Sequence, residues 1–152
     1  MTTPEERLEK LGIVLPEVPV PVAKYVPFRF AGSLLFLSGQ VPRGQDGKPI
    51  NGRLGEDITV EQGYAHAKLC ALQLIAVAKS AVGDLSKLSV IKLLGMVNAA
   101  PDFADQPKVI NGASDLFVEI FGDEGRHARS AVGMGSLPSR VTVEVEAIFH
   151  VR

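Results

Sequence analysis

The chain has 152 residues, with 16 basic and 17 acidic side chains and a formal net charge of −1. That length supports one domain with a sizeable core and leaves no room for two ordinary domains joined by a linker. The near-neutral balance, with no basic stripe, speaks against a protein that grips nucleic acid by its phosphates. Hydrophobic residues make up 46%, and the mean hydropathy of +0.19 requires apolar surface to be buried in a membrane or a subunit interface. A spanning helix needs about 20 mostly apolar residues. The best run, Leu69 to Ala78, is short, is interrupted by Gln73 and is flanked by Lys68 and Lys79. The acidic, polar start from Met1 to Arg7 is unlike a secretory leader. A single cysteine excludes an internal disulfide framework and a cysteine-rich metal site. These features predict a cytoplasmic protein with an apolar interface.

In chain order, Pro4 to Lys10 reads as a short helix, followed by an extended lead-in set by Gly12, Pro16, Pro19 and Pro21. Val22 to Phe30 reads as a first strand, with Pro27 placing it at an edge or bulge. The apolar run Ser33 to Ser38 reads as a buried second strand. Pro42 to Gly55 is rich in glycine and proline, a loop able to cover a site. A long helix follows to about Ala81, capped by Asp57 or by Thr59, whose spacing to Gln62 has the capping-box form. It is apolar nearly all round, so it must pack on more than one side. Gly83-Asp84 ends it, and Leu88 to Val97 reads as a third strand. After Pro101-Asp102-Phe103, the spacing of Val109, Ile110, Ala113, Leu116, Phe117, Ile120 and Phe121 predicts an amphipathic helix stopped by Gly122. His127 to Met134 is a candidate strand, Gly135 to Ser139 a turn, and Val141 to Val151 a strictly alternating last strand. The order ββαβαββ fits an α+β layer with two helices on one face of a sheet.

Arg129 and Glu144 are the pair best suited to chemistry. Arginine offers a planar fork that holds a carboxylate in two places. Glu144 lies on the polar side of the last strand, and the turn between the two strands is expected to make them antiparallel neighbours around one pocket. The bland alternative is an ordinary solvated ion pair. The histidines His66, His127 and His150 lack metal-ligand spacing and read as structural or exposed. Cys70, in an apolar helix, reads as a small core residue. No phosphate loop, dinucleotide fingerprint or nucleophile elbow is present in the sequence.

Several segments resemble the Rid family, the reactive intermediate deaminases also called YjgF-like or L-PSP proteins. These are Leu37-Ser38-Gly39-Gln40-Val41-Pro42, the region of Asp102-Phe103, Asn111 and Phe117, and Arg129-Ser130-Ala131-Val132 with Leu137-Pro138 and Val143 to Ala147. The resemblance spans roughly residues 22 to 151. It implies a chorismate-mutase-like α+β fold with a mixed sheet, forming a homotrimer with pockets at the subunit interfaces. The domain division it implies is a lead-in over 1–21 and a single Rid-like domain over 22–152. It further implies that Arg129 grips the carboxylate of an amino-acid-derived imine or enamine. Glu144 would activate the water that hydrolyses this imine to a 2-keto acid and ammonia. Tyr25, Ser38, Gly39 and Asn111 would line the pocket, and the backbone at Ala131 would add a carboxylate contact. Ala131 stands where many members have a cysteine, and Ser114 where many have an aromatic residue. No metal or organic cofactor is expected, nor a membrane or nucleic-acid partner. The alternatives are a non-catalytic binder of small carboxylates and, behind it, an L-PSP-type endoribonuclease.

Overall fold

A computed structural model describes residues 2–152. The elements run α1 (Pro4–Lys10), β1 (Phe28–Ala31), β2 (Leu34–Leu37), α2 (Val60–Val82), β3 (Leu88–Asn98), α3 (Gln106–Phe121), β4 (Ala128–Met134) and β5 (Val143–Val151). Two of the helices start on side-chain caps. Thr3 and Glu6 form a capping box at α1, and Thr59 and Gln62 form one at α2. Thr59 therefore caps the long helix, while Asp57 accepts the Arg53 N–H at 2.6 Å in the loop before it. Gly122, at φ 63°, ends α3 in the left-handed region.

The first strand is shorter than the sequence suggests. Residues 22–27 stay outside the sheet and only 28–31 pair with β2. Pro27 has no N–H for a ladder, and its carbonyl instead accepts the Ser38 N–H at 2.9 Å.

The five strands form one mixed sheet in the order β1-β2-β5-β3-β4. All pairings are antiparallel except β3 with β4, which is parallel. This corrects the expectation that β4 and β5 are hairpin neighbours. β3 lies between them, because the β3–α3–β4 crossover takes the place beside β3. The end of β3 is stitched to both flanks of the connecting turn: Asn98 N–H bonds to Thr142 O at 2.9 Å and Ala99 N–H to Met134 O at 3.3 Å.

The alternation of β5 sends Val143, Val145, Ala147 and Phe149 into the core beneath the helices. Phe149 meets Phe117 of α3 edge to face at 5.9 Å. α2 has 23 residues and, by length and composition alone, passes for a membrane span. Half of its most apolar window is nonetheless buried inside this chain, where Ala67, Ala71, Leu74 and Ala78 belong to the core. The small N-terminal helix joins that core through Leu8 and ties down through Glu5, which pairs with Lys79 at 2.7 Å. On the other face of the sheet Phe36 and Val132 are exposed, at 42% and 38%.

α2 and α3 approach most closely at Gly112. A Cβ there would stand 2.0 Å from the backbone carbonyl oxygen of Tyr64. Backbone cannot yield as a side chain can, so Gly112→Val is expected to cost about 1–3 kcal/mol through overpacking. Denaturant unfolding checks this, and an unchanged midpoint would show that the two helices are not in contact at that point.

Candidate active site

Arg129 sits on β4, the edge strand, opposite Leu93 of β3. Its Nη1 donates to Asn111 Oδ1 at 2.8 Å and to Ser114 Oγ at 3.1 Å. Asn111 and Ser114 are three residues apart on α3, which puts both on one side of that helix. The guanidinium is thus held on the helix-covered face of the sheet by one nitrogen. Among the described residues its Nη2 and Nε have no hydrogen-bond partner. That free edge is the one that binds a carboxylate through two parallel bonds. Ala131 lies two residues further along the same strand face, half-buried against the core. Ser130 points the opposite way and accepts from Lys92 Nζ at 3.3 Å.

Glu144 faces the other side. Its neighbours Val143 and Val145 are buried under the helices, so the alternation of β5 turns Glu144 to the uncovered face. It lines a cavity of about 510 Å³ together with Tyr25, Ser38, Gly39 and Arg43. Ser38 Oγ donates to Val26 O at 2.6 Å, which holds the Tyr25 segment over the end of β2. A Cβ on Gly39 would lie 2.5 Å from Glu144 Oε2, so only glycine leaves the carboxylate where it is. Burial raises the Glu144 carboxyl above its ordinary value, and the charge of Glu146 adds to the effect. Such a group is a stronger base than a free carboxylate.

The sequence-predicted residues therefore fall into two groups. Arg129, Asn111 and Ala131 are on one face, and Tyr25, Ser38, Gly39 and Glu144 are on the other. Arg129 and Glu144 are two strands apart and offset by three residues along β3, from Leu93 to Met96. Ladder spacings place their Cα atoms roughly 14 Å apart. The expectation that a shared turn brings both ends to one pocket within the chain is thereby corrected, since β3 intervenes.

Three participants escaped the sequence reading. Arg43 and Ser139 line the Glu144 cavity, and Ser139 adopts φ 55° in the turn before β5. His127 bonds to Ser114 at 3.0 Å and so joins the Arg129 group. The local glycine- and proline-rich pattern marked the Arg43 loop as a possible cover but singled out no side chain. Of the other histidines, His66 bonds to the buried Thr142 at 2.9 Å. Cys70 is fully buried, and burial pushes its thiol well up, as befits a core residue. Among the described residues no group of three or more His, Cys, Asp or Glu side chains is arranged to hold a metal ion.

The fold is that of one known class. Residues 5–146 match the family described as "YjgF/chorismate_mutase-like, putative endoribonuclease", and the chain belongs to that family. It is 45% identical over 143 residues to protein TCP17 of Trypanosoma cruzi, covering 93% of this chain and 89% of that one. It is 32% identical over 132 residues to the RutC family protein y4sK of Sinorhizobium fredii, covering 87% and 90%. Among solved structures, a "putative endoribonuclease" from Shewanella oneidensis superposes with a TM-score of 0.94 at 39% identity, covering 99% of this chain and 100% of that one.

The electrostatics of Glu144 can be tested directly. Its carboxyl is expected to titrate above the ordinary carboxylate range. Glu146→Gln removes the like charge and should move that titration to lower pH. Carboxyl-detected NMR across pH 3–8 reads it, and a Glu144 resonance that ignores Glu146→Gln would contradict the account.

Proposed function

We propose that this protein hydrolyses small imines or enamines derived from amino acids to 2-keto acids and ammonia, in pockets closed between subunits of a homotrimer. The observation that carries the reading is the Arg129 guanidinium, fixed through Nη1 with its Nη2–Nε edge free. A permanently charged, oriented fork is suited to the carboxylate of an amino-acid-derived imine.

The chemistry asks little else. An imine carbon is already electrophilic, so binding energy need only orient it and deliver water. Glu144 takes a proton from the water as its oxygen bonds to that carbon. Glu144 returns that proton to the nitrogen, giving a carbinolamine. It then takes the carbinolamine hydroxyl proton as the C=O bond forms and passes it to the nitrogen as the C–N bond breaks, so ammonia leaves with both protons of the water. Hydrolysis leaves the 2-keto acid carboxylate on Arg129. No redox step and no metal or organic cofactor is needed.

A second copy is required because the two groups face opposite sides of one sheet. The uncovered sheet face carries exposed Phe36 and Val132, which supports its burial against neighbours. The family description and the Shewanella structure both carry the word endoribonuclease. The net charge of −1 supports a small-molecule substrate over RNA.

The assay is keto-acid release from 2-aminoacrylate generated in situ. Glu144→Gln is expected to lower kcat by about 10²–10⁴-fold, the usual worth of a positioned base. Arg129→Ala is expected to raise KM as well as lower kcat, and to abolish calorimetric binding of pyruvate. Turnover no faster than buffer, with pyruvate binding that needs Arg129 but not Glu144, would replace the enzyme by a carboxylate-binding module. Cleavage of a defined RNA that survives Arg129→Ala would overturn the reading altogether.

A further inference from the structure

His127 takes no part in the chemistry just described, yet its ring is committed at both nitrogens. Nδ1 lies 2.7 Å from the carbonyl oxygen of Gly125. A carbonyl only accepts, so Nδ1 carries the proton. In the neutral ring Nε2 is then an acceptor, and it stands 3.0 Å from Ser114 Oγ. The Ser114 hydroxyl hydrogen must therefore point at His127, which leaves its lone pairs to accept from Arg129 Nη1 at 3.1 Å. The direction of every bond in the series follows from the one carbonyl at its end.

That end is itself fixed. A Cβ on Gly125 would lie 2.2 Å from the Phe117 carbonyl oxygen, so this turn is pressed against α3. The imidazole packs edge to face on Phe117 at 5.8 Å. Burial holds the ring below its ordinary pKa and the nearby Arg129 charge acts in the same direction, against the opposing effect of the Gly125 bond. The bond to Gly125 fixes the proton on Nδ1, and this environment keeps the ring neutral, so that Nε2 is the acceptor.

We propose that His127 is a positioning residue: in its Nδ1-protonated tautomer it orients the Ser114 hydroxyl, which with Asn111 sets the angle at which Arg129 presents its free edge to a carboxylate. The inference rests on the carboxylate-anchor reading above and deepens it. Without His127 the Ser114 hydroxyl can rotate, and it no longer has a reason to keep a lone pair toward Arg129.

The test is pyruvate binding by calorimetry on the intact oligomer. His127→Phe preserves the ring on Phe117 but removes both polar atoms. It is expected to weaken binding about tenfold, the effect of losing an oriented bond to a charged group. Ser114→Ala should do the same. The double variant His127→Phe/Ser114→Ala should bind no more weakly than Ser114→Ala alone, because both changes break one series. His127→Gln, whose amide oxygen can accept from Ser114, should recover part of the loss. In ¹⁵N NMR the wild-type ring should show a protonated Nδ1 and an acceptor Nε2, with the Nε2 signal shifted in Ser114→Ala. Wild-type binding by His127→Phe, or fully additive losses in the double variant, would overturn the inference while Arg129→Ala still abolishes binding. Unchanged binding in Arg129→Ala would instead overturn the anchor reading beneath it. Should His127→Phe fail to fold, the tautomer decides, since an Nε2-protonated ring contradicts the proposed direction of the bonds.

Discussion

The parallel pairing of β3 with β4 is the constraint on which the rest of the site depends. It places β4 at the edge of the sheet and inserts β3 between the strands that carry Arg129 and Glu144. Strand alternation then sends the two side chains to opposite faces. Arg129 is held against α3, while Glu144 looks into the cavity under the Tyr25 segment. No rotamer change bridges that arrangement, since it is set by backbone register. The two residues thus lie on separate faces of one chain, and the proposed chemistry needs a second copy to bring them together.

The same architecture accounts for the surplus of apolar residues. Part of it is absorbed by α2, which is packed tightly enough that α3 passes it at a glycine. Some of the rest is exposed on the sheet face that no helix covers, at Phe36 and Val132, and some on the lead-in, at Val14, Val20 and Val22. At about 25 cal/mol for each Å² removed from water, burying such a face stabilises an assembly as well as shaping its pockets. In the homotrimer proposed above, fold stability and site formation would be coupled through the interface.

Local signals in the sequence were legible and tertiary ones were not. The capping box of Thr59 and Gln62, the alternation of the last strand and the 3–4 spacing of α3 are nearest-neighbour patterns, and each appears where it was expected. The turn from Gly135 to Ser139 looked like a hairpin because nothing local distinguishes a hairpin from a link that straddles another strand. Residues 22–27 looked like strand, but the chain bends at Val22 to Lys24 and again at Pro27, which keeps them out of the ladder. Arg129 and Glu144 stand out by residue chemistry, while Tyr25, Ser38, Gly39, Asn111 and Ala131 come in through family resemblance. Their division between two faces follows only from the register. His127 reads in the sequence only as structural or exposed, since Gly125, Ser114 and Arg129 become its neighbours only when the turn after α3 folds back on that helix.

The central claim is that one working site takes Arg129 from one subunit and Glu144 from its neighbour. Coexpressing Arg129→Ala and Glu144→Gln chains and assaying the mixed oligomers tests it most directly. In a random equal mixture, half the chains keep Arg129 and half keep Glu144. One half times one half leaves about a quarter of the interfaces with both groups. The account predicts imine hydrolysis recovered to about a quarter of the wild-type rate, although each variant alone is inactive. Mixed oligomers as inactive as the separate variants would contradict it.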